Sequence, residues 1–232
     1  MRKVVVWMLA LSLALSLVAC GEAGDSPSPG KQPEQAPTEQ NEPEQVDEQE
    51  KPKIEPHDTV VFTGSGDDII DLDVDGYYYV FHITGNAEGH HFAVKTYDSN
   101  DNYSELLVNT TDVYDGTTYD ASLDVKTIEV SAVGDWTIEV IDLANWYWVY
   151  AGDTVTGNSD AVFALADGGK TADIEGNAEG NYFAVITYDG YGMYDDLLVN
   201  TTDPYSGKVK LGKDATIVVV KASGDWNFTA NK

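Results

Sequence analysis

Cysteine is almost absent: the 232-residue chain has one, Cys20. A disulfide framework and a cysteine-based metal site are therefore both excluded. Positive charge is scarce too, with 13 Lys and Arg against 40 Asp and Glu and a formal net charge of −27. Such a field repels polyanions, so nucleic acid is excluded as a partner, and it repels an anionic membrane face as well. Cationic, neutral or metal-bridged partners stay open. Catalytic signatures are missing: there is no nucleophile elbow, no Cys–His pair and no phosphate-cradling loop. Gly64-Ser65-Gly66-Asp67-Asp68 has the glycines, but neither the lysine nor the strand–helix context such a loop needs. Abundant Asp permits a carboxylate pair of glycosidase type, yet abundance alone makes no constellation. The chain reads as non-catalytic.

What is present begins with a basic start, Met1-Arg2-Lys3, and an apolar or small run from Val4 to Val18. That run has the length of a signal-peptide core and falls short of the ~20 residues a spanning helix needs. It ends in Leu17-Val18-Ala19-Cys20, which resembles the lipobox of bacterial lipoproteins. The resemblance implies cleavage after residue 19 and a diacylglycerol on the Cys20 thiol. It makes the membrane a partner through that lipid and places the protein outside the cytoplasm. Each buried acyl methylene contributes about 0.8 kcal/mol, and two or three chains make the attachment effectively permanent. An ordinary secretory signal with a chance cysteine is the plain alternative.

Residues 20–57 change abruptly to Pro, Glu, Gln, Ser and Asp. With almost nothing apolar to bury, conformational entropy wins and the segment is expected to be a disordered linker. As a flexible coil it would span roughly 35 Å, and more when stretched by proline and like charge.

The remainder is one unit used twice. Gly85-Asn86-Ala87-Glu88-Gly89 recurs as Gly176-Asn177-Ala178-Glu179-Gly180, and Leu106–Asp112 (LLVNTTD) returns unchanged as Leu197–Asp203. Gly134-Asp135-Trp136 returns as Gly224-Asp225-Trp226, and Thr63-Gly64 as Thr156-Gly157. Repeat one is taken as 58–145 and repeat two as 146–232. Short alternating apolar runs separated by Gly, Asp and Asn predict an all-β fold of two tandem small antiparallel sandwich or jelly-roll domains. In copy one the runs predict strands near 59–63, 69–74, 77–83, 91–97, 105–109, 127–132 and 136–141. Copy two repeats them near 155, 161–166, 171–174, 182–188, 197–200, 216–221 and 226–230. Lys95 and His91 stand opposite Ile186 and Tyr182, so that strand face tolerates both polar and apolar residues and is expected to be outer or half-covered. Residues 58–145 carry 18 acidic and 2 basic residues, and residues 146–232 carry 12 and 6.

This pattern over 58–232 resembles a β domain that recurs in tandem on bacterial surface lipoproteins. In outline alone it is similar to the pre-peptidase C-terminal sandwiches of secreted hydrolases. Neither resemblance implies a catalytic residue.

Two groups stand out as candidate sites. Asp71-Leu72-Asp73-Val74-Asp75-Gly76 matches the opening of an EF-hand loop and suggests calcium on Asp71, Asp73 and Asp75. Its twelfth position, however, is His82 rather than Glu, and the string alternates as a strand with Asp on one face. With Asp68 aligned over Asp160, Asp71 and Asp73 fall opposite Phe163 and Leu165, which favours a solvated acidic face. Trp146, Trp148 and Tyr150 would share one face of a strand, either as a ligand platform or as a seal between the repeats. A zinc reading of His90-His91 beside Glu88 fails on strand geometry, because adjacent residues point to opposite faces. Trp136 and Trp226 are expected core anchors. The function expected is a lipid-anchored, non-catalytic surface module that binds a cell-wall glycan or a protein partner. A structural spacer without a small ligand is the alternative, and an accessory domain of a secreted hydrolase system is a third.

Overall fold

The computed structural model describes residues 57–74, 78–85 and 88–232; Cys20, the linker before His57 and Asp75 lie outside them. The described residues form an all-β fold, with antiparallel sheets paired into sandwiches. In the first repeat, β1 (Val60–Ser65), β8 (Asp135–Asp142), β3 (Tyr79–Gly85) and β6 (Tyr114–Tyr119) form one sheet in the order β1-β8-β3-β6. Its partner is β2-β7-β4-β5, from β2 (Asp68–Asp71), β7 (Thr127–Ser131), β4 (Phe92–Tyr97) and β5 (Tyr103–Thr110). In the second repeat, β10 (Thr154–Gly157), β17 (Trp226–Asn231), β12 (Thr171–Gly176) and β15 (Tyr205–Lys210) pair as β10-β17-β12-β15. The opposing sheet, β14-β13-β16-β11-β9, takes β14 (Tyr194–Thr201), β13 (Phe183–Asp189), β16 (Ala215–Ala222) and β11 (Ala161–Leu165). Its added edge strand, β9 (Trp148–Val149), comes from the connection between repeats and runs parallel to β11.

Alternation along each strand builds the cores. β3 turns Tyr79, Phe81 and Ile83 inward against Phe92, Val94, Ile128 and Trp136, and Phe163, Ile174, Phe183, Val218 and Phe228 form the equivalent core. Trp136 and Trp226 are buried, as expected of anchors. Each indole N–H donates to a backbone carbonyl across the sandwich, Trp136 to Gly66 at 2.9 Å and Trp226 to Ser159 at 2.8 Å. The indoles lie flat on Gly64 and Gly157, where a Cβ would collide with the ring. Beside them Asp67 accepts from the Ala132 N–H at 2.9 Å, and Asp160 from Ala222 at 2.8 Å.

These matched bonds put Asp67, not Asp68, over Asp160. The strand ladders agree, because Val130 opposite Asp68 corresponds to Val220 opposite Ala161. Asp71 and Asp73 therefore fall opposite Ala164 and Ala166 rather than Phe163 and Leu165.

Two strands escape the sequence pattern, β6 and β15, whose Tyr-Asp-Gly and Tyr-Ser-Gly starts read as turns. In each the tyrosine ring folds over the glycine two residues on, leaving no room for a Cβ at Gly116 or Gly207. Glycine inside a strand marks such a close approach.

One buried polar pair is solved differently in the two copies. The Thr96 hydroxyl donates to Asp120, which also accepts from Ser104 Oγ at 2.9 Å. In repeat two the Thr187 hydroxyl donates to Asp195 at 2.9 Å, and Asp195 stands where Ser104 does. Leu211 then fills the Asp120 position and is buried. A buried hydroxyl needs an acceptor, and either neighbour can supply it.

The repeats pack through unlike faces. Val80, Tyr119 and Leu143 of repeat one bury against Val162, Ala164, Ile217 and Val219 of repeat two. The corresponding outer faces elsewhere are polar. Val80 and Tyr119 become Thr171 and Lys210; Ile186 and Val219 correspond to Lys95 and Glu129, an ion pair at 2.8 Å. The outer or half-covered face expected from the Lys95/Ile186 comparison is open in one copy and covered in the other. Backbone bonds lock the contact: Thr117 N–H donates to the Asp160 carbonyl at 3.0 Å, and Val162 N–H to Thr117 Oγ1 at 2.8 Å. Val219→Glu should cost about 3 kcal/mol or more in denaturant unfolding, because it buries an unpaired carboxylate. Adding Ile186→Lys restores the cross-strand pair of repeat one and should recover part of that loss; no recovery would contradict the correspondence.

Candidate functional site

The aromatic strip divides. Trp146 follows a 3-10 turn (Leu143–Asn145), packs on the inter-repeat contact and donates its indole N–H to the Val162 carbonyl at 2.6 Å. Only Trp148–Val149 is strand, so the three aromatics do not share one strand face. Val149 enters the core of repeat two, while Trp148 is 40% and Tyr150 55% exposed. Tyr150 opens a turn, its N–H donating to Asp153 Oδ2 at 3.0 Å. Trp146 thus seals the repeats, and Trp148 and Tyr150 stay open to solvent.

Trp148 borders a cleft of about 580 Å³ at the end of its sheet, shared with Asp167, Asp189, Tyr191, Lys213 and Asp214. Tyr191 belongs to the β13–β14 hairpin, which the sequence reading did not single out. Both repeats build this hairpin tip with one bond set. Asp98 Oδ1 accepts from the N–H of Asn100 and of Asn102, each at 2.8 Å, and Asp189 Oδ1 from Tyr191 and Met193 at 2.8 and 2.9 Å. The fourth tip residue has positive φ in both, 60° at Asp101 and 74° at Gly192. What differs is the side chains displayed: Ser99, Asn100 and Asn102 in repeat one, Gly190, Tyr191 and Met193 in repeat two. Tyr191 is 73% and Met193 64% exposed. Tyr103 and Tyr194 are common to both tips and each meets a tyrosine of the preceding strand edge-to-face at 6.3 Å.

The back of the second tip rests on repeat one. A Cβ on Gly192 would meet the Tyr119 hydroxyl, Leu123 and the Tyr78 ring. Tyr78 is held above its ordinary phenol pKa by burial first and then by the charge of Asp189.

At the other end of the contact, His82 lies between two carboxylates, Nδ1 3.0 Å from Glu139 and Nε2 2.9 Å from Asp115. It borders an inter-repeat groove of about 410 Å³ with Trp146, Tyr147 and Asp160. Burial opposes the charged ring, but the hydrogen bonds to Asp115 and Glu139 and their charge outweigh it, and its pKa stands above the ordinary 6.5. Its counterpart in repeat two is Asp173, paired to Lys208 at 3.0 Å. Tyr114 donates to Asp160 Oδ2 at 3.0 Å across the repeats. Burial, then the Asp160 charge and that bond, push the Tyr114 phenol far above its usual range.

Of the calcium candidates, Asp71 and Asp73 are exposed on the outer side of β2 while Ile70 and Leu72 point inward. Among the described residues no group of three or more His, Cys, Asp or Glu converges as a metal site, and no helix is long and apolar enough to cross a membrane. The chain matches no known protein-family model and no curated protein.

The folded His82 ring keeps its proton to higher pH than an unfolded one. Its contacts therefore contribute fully below the ordinary pKa of 6.5 and fade as pH rises through the folded value. His82→Gln should lower stability by about 1 kcal/mol at mildly acidic pH, with the difference from wild type shrinking above neutrality. Melting curves across that range check the sign; a difference that grows with pH would contradict it.

Proposed function

We propose that the chain is a lipid-anchored, extracytoplasmic surface protein, thioether-linked to lipid at Cys20, whose repeats form a non-catalytic binding module. The binding site is the end of repeat two, where Trp148 and Tyr191 line the cleft and Met193, two residues on, is exposed. The ligand is a cell-wall glycan or a protein partner. One observation carries this: an identical hairpin framework shows asparagines in repeat one and an exposed tyrosine and methionine in repeat two. The fold does not require those apolar groups, since repeat one folds without them, and solvent-exposed aromatics flanking a cleft mark interaction sites.

Binding is tested with the intact chain and its Tyr191→Asn/Met193→Asn variant, against soluble wall glycans and surface-protein segments. A ligand should be retained by the wild type and weakened about tenfold or more in the variant. Equal retention of every ligand by both would remove the site. The anchor is tested separately by Cys20→Ser, which should release the protein to the medium or leave its precursor uncleaved; unchanged membrane fractionation would contradict lipidation.

A further inference from the structure

We propose that the tip of repeat two docks a lysine- or arginine-bearing segment of a protein partner, an inference that rests on the binding-module reading above. The floor of the cleft is anionic. Its lining includes Asp167, Asp189 and Asp214 and one cation, Lys213, whose Nζ is already engaged 2.5 Å from Asp214 Oδ2. One oxygen of Asp189 is spent on the turn, accepting from Tyr191 and Met193. The same cleft is lined by Trp148 and Tyr191, and aromatic ring faces attract cations. A cation entering here gains from both groups at once, and residues 146–232, with 12 acidic against 6 basic residues, favour it.

The surface around the cleft separates a protein from a sugar. After Tyr191 along the hairpin, Met193, Tyr194 and Leu197 are exposed as well, Tyr194 at 62% and Leu197 at 41%. An unbranched thioether and a leucine offer no hydrogen bonds to sugar hydroxyls. They do adapt to irregular apolar side chains, and Tyr, Trp and Met are the residues enriched in protein interfaces. Tyr194 has its equivalent in Tyr103 and belongs to the fold. Tyr191 and Met193 do not, so they define the docking surface.

The tip is also held ready. Gly192 fits under Tyr119, Leu123 and Tyr78 of repeat one, and its φ of 74° suits the turn. With its back seated, the hairpin projects Tyr191 and Met193 outward with little left to order on binding.

The test uses the intact chain in detergent and three probes: a fluorescent Lys/Arg-rich peptide, its Ser/Gly-substituted control and a neutral chito-oligosaccharide. The variants are Tyr191→Asn/Met193→Asn, which leaves the charge unchanged and installs residues repeat one tolerates, and Asp214→Asn. Circular dichroism melts confirm that both fold. At physiological ionic strength the basic peptide should bind the wild type, the control peptide should not, and each variant should weaken binding by about tenfold or more. Equal binding of the basic peptide to wild type and to the charge-neutral tip variant would mean attraction to the whole acidic chain, and would overturn the proposal. Tip-dependent binding of the oligosaccharide with none of the basic peptide would overturn it too, while leaving the binding module standing. If no probe depends on the tip, both readings fall.

Discussion

The covered patch between the repeats governs the rest of the molecule. Val162, Ala164, Ile217 and Val219 are buried because Val80, Tyr119 and Leu143 lie on them. Neither surface could stay apolar in water without the other. That mutual requirement breaks the equivalence of two copies that otherwise share strand order, indole anchors and hairpin turns. It explains why Lys95 and Glu129 are an ion pair in one sandwich while their counterparts are Ile186 and Val219 in the other. It explains equally why the face bearing Thr171, Asp173 and Lys210 remains polar. The bonds of Thr117 to the Asp160 carbonyl and from the Val162 N–H then fix the register of the contact, since a slip would strand buried backbone groups.

The candidate site inherits its position from this contact. Tyr119 seals the patch and at the same time supplies the surface on which Gly192 sits. The hairpin that carries Tyr191 is therefore braced by the neighbouring repeat rather than left as a free tip. β9, which brings Trp148 to the other side of the cleft, is likewise a product of joining two copies: it is the connection itself, drawn into the sheet beside β11. The cleft's lining lies wholly within residues 146–232, and repeat one supplies the surface under Gly192.

Much of the fold was legible in the sequence because duplication and strand alternation are strong signals. The GNAEG, LLVNTTD and GDW matches gave the repeat, and the core tryptophans followed from their place at the head of the last strand. Less was legible where side chains override local propensity. β6 and β15 hide behind Gly116 and Gly207, which look like turn residues but serve as flat ground for a tyrosine ring. Asp160 matches Asp67 rather than Asp68, a register hidden because repeat two is two residues shorter between β11 and β12 than repeat one is between β2 and β3. Of the three aromatics expected to share a face, Trp148 and Tyr150 are exposed and Trp146 packs on the contact between the repeats. Tyr191 and Met193 were visible in the rows as a replacement of Ser-Asn-Asp-Asn by Gly-Tyr-Gly-Met. Only the shared hydrogen bonds of Asp98 and Asp189 show that the change is one of display, not of shape.

The contact between unlike faces carries a hazard that the polar outer sheets answer. A head-to-tail joint has no intrinsic end, because each unit that docks leaves a vacant face behind it, and such joints generate filaments when nothing interrupts them. Here the vacant face of repeat one shows Lys95 and Glu129, and that of repeat two shows Asp173, Lys208 and Lys210. Neither can accept another sandwich without stripping water from charges. Two such chains would meet through charged, hydrated faces, so the joint that holds the repeats together is not offered again between one molecule and the next.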